Sequence, residues 1–271
     1  MKTRLISGII LVILALAVIM TGGYLLAAVL LFLSLIAFRE LTKACKLADD
    51  GKLNGMEVIG CLGIITFYIV TAVEKNSRYM LLTLIIILMA YMCLYVFSFP
   101  KYRAEQIMSS YFCVVYAPVM LSFIYSVREL KYGEYLVWLI FISSWACDTC
   151  AYAVGMLFGK HKLAPVLSPK KSIEGAIGGV VGAMIVGALY AHFIVAPGIG
   201  GQILFWVFVL ISAIGAVVSQ IGDLAASAIK RNYGIKDYGK LIPGHGGVMD
   251  RFDSVIFTAP VIYCIAYMLA T

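Results

Sequence analysis

Nine runs of mostly apolar residues, each close to the length that crosses a bilayer, constrain this chain more than any other feature. They lie at about 5–20, 23–42, 56–73, 79–99, 109–127, 134–157, 174–196, 202–224 and 252–270. A spanning helix needs about 20 such residues. In hydrocarbon every backbone N–H and C=O must be satisfied internally, and a helix does this within one segment. Composition agrees, with 63% hydrophobic and 13% charged residues where a soluble domain carries roughly 25% charged. The expectation is an all-α integral membrane protein forming a single polytopic domain over 1–271, with about nine transmembrane helices. Lys2 and Arg4 precede the first run, and no A-x-A-like cleavage site follows it. It therefore reads as a retained helix and not as a signal peptide.

Orientation follows from the basic residues. With the N-terminus in the cytoplasm, 17 of the 21 Lys and Arg fall in cytoplasmic segments; Lys75, Arg78, Arg128 and Lys131 fall outside. This predicts a cytoplasmic N-terminus, an external C-terminus, and cytoplasmic exposure of the charged segments after the sixth and eighth runs. The net charge of +7 is thereby explained by the loops and does not point to nucleic acid. Seven cysteines are scattered through the apolar runs; without a second pair or clustered histidines they suggest neither a disulfide nor zinc. Gly175-x-x-x-Gly179 and Gly178-x-x-x-Gly182 read as close helix packing, and Pro118 and Pro260 as kinks.

The chemistry concentrates in Ser227–Asp253, SAIKRNYGIKDYGKLIPGHGGVMDRFD. This stretch holds Lys230, Arg231, Lys236, Asp237, His245, Asp250, Arg251 and Asp253 among five glycines. Lysine and arginine neutralise phosphate oxygens, and carboxylates hold a hard divalent cation. Glycines such as Gly246 and Gly247 let backbone N–H groups approach an anion. Acidic residues inside spans default to function. Asp223 ends the eighth run, Asp250 and Asp253 share a face at i, i+3, and Asp148 lies about 18 Å along the helix from Lys160 at 1.5 Å per residue. Carboxylate ligands without a cysteine or histidine cluster favour Mg²⁺ or Mn²⁺. A second motif, Leu167-Ser168-Pro169-Lys170-Lys171-Ser172-Ile173-Glu174-Gly175, opens a helix for which Ser172 is the candidate cap, with first-turn N–H groups suited to an anion. Roughly 1–130 thus reads as N-terminal helices and roughly 131–271 as catalytic helices and cytoplasmic loops.

A polyphosphate site at bilayer level implies one water-borne and one lipid substrate. Two reactions satisfy this: nucleotidyl transfer to a lipid phosphate, or phosphoryl transfer to a lipid alcohol. The spacing S-x-x-K-R-x4-K-D-x-G-x-L-I-P-G-H-G-G-x-x-D-R-x-D resembles the signature of phosphatidate cytidylyltransferases, also called CDP-diacylglycerol synthases, and S-P-K-K-S-x-E-G resembles their second element. That resemblance implies CTP and phosphatidate as substrates and CDP-diacylglycerol and pyrophosphate as products. It implies a metal centre of Mg²⁺ with K⁺ at Asp223, Asp250 and Asp253, with Asp148 a fourth candidate. Lys230, Arg231, Lys236, His245 and Arg251 would act on the phosphates. Ser168, Lys170, Lys171, Ser172, Glu174, Ser227, Asp237, Gly246 and Gly247 would bind substrate. It also implies a homodimer in a bacterial-type inner membrane, active site facing the cytoplasm. The alternatives are a CTP-dependent polyprenol or phytol kinase, distinguished by a lipid monophosphate product, and an ion-coupled transporter using Asp148 and Asp223 as relays.

Overall fold

An apolar run with few Gly or Pro interruptions becomes a helix because no other backbone arrangement satisfies its own polar groups in lipid. The computed structural model describes residues 15–48, 53–74, 77–199, 202–241 and 246–270. Among them, eight helices are long and apolar enough to cross a membrane. They are α1 (Gly23–Ala44), α2 (Gly55–Val73), α3 (Ser77–Phe97), α4 (Ala104–Arg128), α5 (Gly133–Phe158), α6 (Ile173–Gly198), α7 (Gln202–Asn232) and α8 (Met249–Ala270). The chain is a multi-pass helical membrane protein. Most of the run at 5–20, together with Lys2, Arg4, Lys52, Lys75 and His245, lies outside the described residues. Residues 15–21 are helical, and successive left-handed glycines, Gly22 (φ 64°) and Gly23 (φ 55°), break the path before α1.

Three expectations need correction. The all-α assignment omits a short antiparallel ribbon, β1 (Lys162–Ala164) with β2 (Ser168–Ser172). Pro165 and Pro169 exclude a helix interior there. The eighth run was expected to end at 224, but α7 continues to Asn232. Loss of apolarity does not end a helix, and Asp223 to Arg231 contains no breaker; the first is Gly234, at φ 69°. The last helix starts at Met249 instead of 252.

The chain divides into two compact units, Met1–Ser126 with Tyr233–Phe252, and Val127–Asn232 with Asp253–Thr271. In the first unit buried hydroxyls find partners, as an apolar interior demands. Tyr68 Oη lies 2.7 Å from Ser34 Oγ and donates to the Pro118 carbonyl at 3.2 Å. Pro118 sits in a π-helical turn, Val115–Val119, where its missing N–H removes a rung of the helical ladder. Tyr91 Oη donates to the Met56 carbonyl at 3.0 Å. Asn54 and Glu57 form a reciprocal capping box at the start of α2.

In the second unit α5 and α6 pack through small residues. A Cβ on Gly178 would stand 2.6 Å from Val154, and one on Gly179 would stand 2.9 Å from Ala151. The two glycine pairs therefore serve close packing, as their spacing suggested. Cys147, Ala183 and Ala216 form the buried seam of α5, α6 and α7. Gln220 Nε2 reaches the Ala176 carbonyl at 2.9 Å, tying α7 to α6.

Candidate active site

The extension of α7 places Asp223, Ser227 and Lys230 at i, i+4 and i+7, on one helix face. These residues were expected partly on a loop; the helix gives them fixed spacing instead. Ser227 Oγ lies 3.5 Å from Asp223 Oδ1. In β2 Lys170 is exposed, while Lys171 is half-buried in an ion pair with Asp223 Oδ2. Ser172 ends the strand and caps α6, accepting from Gly175 N at 3.1 Å. Thus the upstream motif meets α7 within one unit, through Lys171 and Asp223, which stands four residues before the downstream motif. Arg231 Nε approaches the Leu167 carbonyl at 3.4 Å, a second link between α7 and the ribbon.

Asp253, in the first turns of α8, completes the second-unit cluster. Its Oδ2 lies 3.9 Å from Lys230 Nζ, and its Oδ1 accepts from Ser254 N at 2.8 Å. Asp223 and Asp148 lie within its electrostatic reach. Ser254 Oγ lies 3.5 Å from Asp148 Oδ2. Three carboxylates therefore face two ammonium groups, which leaves one net negative charge.

Among the described residues no three His, Cys, Asp or Glu side chains form a ready-made metal cage. The donor set nevertheless fits Mg²⁺, which usually takes one or two carboxylates and completes its octahedron with water and substrate phosphates. The Lys171 and Lys230 ammonium groups beside Asp223 and Asp253 show that these oxygens already accommodate positive charge.

The first unit holds Lys236, Asp237, Gly246, Gly247, Asp250 and Arg251. Asp250 is buried, and its Oδ2 accepts from Tyr238 N at 2.8 Å and Gly247 N at 3.1 Å. Its first visible task is to accept these two backbone N–H groups. Gly246 has φ 89°, a conformation that other residues reach only with strain. Lys236, Asp237 and Arg251 are exposed. Glu174, expected to bind substrate, lies in the second unit and faces the segment that follows α5. It accepts from Lys160 N at 3.1 Å and contacts His161 Nδ1 at 2.6 Å. Ser168 is partly buried at the start of β2.

One residue was missed. Glu40, in the last turns of α1, is 8% exposed, and its two oxygens accept from Val248 N at 3.1 Å and Met249 N at 2.8 Å. The signal was present, since an acid inside an apolar run defaults to function. It was overlooked because Arg39, Lys43 and Lys46 make the end of that run look like an ordinary charged boundary.

A family model described as "Cytidylyltransferase family" matches residues 2–269. A phosphatidate cytidylyltransferase of Staphylococcus saprophyticus is 33% identical over 270 residues, covering 97% of each chain. One of Staphylococcus haemolyticus is 32% identical over 270 residues, and one of Staphylococcus aureus 32% over 267, again with 97% of each chain covered. A match over nearly the whole length, including both basic motifs, places the chain in the cytidylyltransferase family.

Proposed function

We propose that the chain transfers CMP from CTP to phosphatidate, giving CDP-diacylglycerol and pyrophosphate in phospholipid synthesis. The observation that carries this reading is the meeting of the upstream motif with α7, through Lys171 and Asp223 and through Leu167 and Arg231, in a chain similar over 97% of its length to a phosphatidate cytidylyltransferase. A phosphatidate oxygen attacks the α-phosphorus of CTP; one P–O bond forms, the bond to the β-phosphate breaks, and pyrophosphate leaves. The attacking group is already an anion, so no side chain has to remove a proton. The work left to the protein is electrostatic: two anionic substrates must approach against their repulsion.

Lys171, Lys230 and Arg231 supply positive charge for that task, and the Ser172-capped start of α6 adds N–H groups suited to an anion. Mg²⁺ or Mn²⁺, held by Asp223 and Asp253 with Asp148 nearby, would supply charge neutralisation on the phosphates. Nine spans with the N-terminus inside would put this cluster on the cytoplasmic side of a bacterial inner membrane, where CTP is found. The basic-residue bias supports that orientation.

The test is CDP-lipid formation by purified protein in mixed micelles with phosphatidate, α-labelled CTP and Mg²⁺. The expected result is label in CDP-diacylglycerol, with one pyrophosphate released per turnover. Transfer of γ-label to a polyprenol or phytol, with none of the α-label entering lipid, would overturn the reading in favour of a lipid kinase.

A further inference from the structure

A helix start needs acceptors for its first N–H groups, and these usually come from a neighbouring residue in sequence. The start of α8 takes them from Glu40, about 200 positions earlier in the chain. Oε1 accepts Val248 N at 3.1 Å, and Oε2 accepts Met249 N at 2.8 Å. The carboxylate is buried and aimed at the positive end of the helix, where a charged acceptor is worth more than a neutral one. Two glycines make room for it: a Cβ on Gly239 or Gly247 would run into the Glu40 carboxylate. Asp250, one turn into α8, accepts Tyr238 N and Gly247 N. Two carboxylates therefore hold four backbone N–H groups of the 238–249 segment. α8 carries Arg251 and Asp253 directly beyond it.

From this geometry we infer that Glu40 is a positioning residue for the cytidylyltransferase reaction. It acts through the backbone of Val248 and Met249, setting the start and rotation of α8. Both of its oxygens are engaged by these N–H groups. Its effect therefore appears in the rate of the bound complex more than in substrate affinity. Displacement of a reacting group by about 1 Å costs on the order of 10²-fold in rate.

This inference rests on the reaction proposed above, so its test includes a readout independent of activity. Glu40→Gln keeps the size but turns one acceptor into a donor facing an N–H. Hydrogen exchange of the folded, purified variant should speed up in peptides covering 238–252 and stay unchanged elsewhere. Its kcat should fall about 10- to 100-fold, with KM for CTP within about threefold of wild type. Glu40→Asp keeps the charge but reaches one methylene less far; it should show the same pattern with a smaller loss, and it serves if Glu40→Gln fails to fold. Unchanged exchange at 238–252, acceleration spread over all helices, or full kcat despite local acceleration would each overturn the inference. A wild-type protein inactive toward CTP and phosphatidate would refute the reaction instead, while the exchange pattern would still test the cap.

Discussion

Removing the two cluster lysines separates a shared site from two independent contacts. Lys171 pairs with Asp223, the two side chains being 26% and 24% exposed; Lys230 faces Asp253 at 3.9 Å, both 14% exposed. Breaking a fully buried pair costs about 3–5 kcal/mol, and breaking an exposed one about 0–1. These pairs lie between those limits, so about 1–3 kcal/mol each is expected. If a lysine charge of similar worth is lost from the transition state, then at 1.36 kcal/mol per decade the loss is roughly 10- to 100-fold in kcat/KM for either Lys171→Ala or Lys230→Ala. Independent contacts would multiply to roughly 10²- to 10⁴-fold in the double variant. A shared site predicts a double variant little worse than the poorer single one, because residues acting as a unit lose their joint effect once. The metal dependence adds a sign. Each lysine removed leaves the carboxylates more negative, so the Mg²⁺ concentration for half-activation should fall even as turnover drops. The assay is a double-mutant cycle on CDP-lipid formation with a Mg²⁺ titration of each variant. Simple additivity, or a uniform rise in the Mg²⁺ requirement, refutes the shared cluster.

Asp250→Asn removes the charge that gathers Tyr238 N and Gly247 N, and at least a 10²-fold fall in kcat is expected; near wild-type turnover in a folded variant would remove Asp250 from the machinery. Activity should vanish in EDTA and return with Mg²⁺ or Mn²⁺, and activity surviving exhaustive chelation would contradict the carboxylate site. Single cysteines at Lys131 and Lys101, in a cysteine-free background, should label from outside intact cells only at position 131; the reverse pattern would overturn the orientation. Gly182→Leu would force a side chain into Cys150, and overpacking of about 1–3 kcal/mol should lower the thermal midpoint in detergent; an unchanged midpoint would show that α5 and α6 have room to yield.

Membrane class and helix positions were legible because each depends on one local quantity, apolarity summed over about 20 residues. The cap by Ser172 was equally local, set by side-chain reach; the end of α7 was not, because a count of apolar residues misses a helix that runs on into polar sequence. The two motifs could be singled out as candidates for phosphate binding because their charges stand out against an apolar chain. Partnerships were a different matter. That Lys171 takes Asp223, that Arg231 turns to the ribbon, and that Glu174 meets Lys160 and His161 all depend on which segments pack together, and residue spacing does not carry that information. Asp250 looked like a metal ligand by composition, while the fold also gives it two backbone N–H groups to hold. Glu40 makes the point most clearly. Its contribution lies in accepting N–H groups from Val248 and Met249, and backbone donors are the same at every position of a sequence. Which of them a buried carboxylate meets is decided only when α1 and the start of α8 come together in the folded chain.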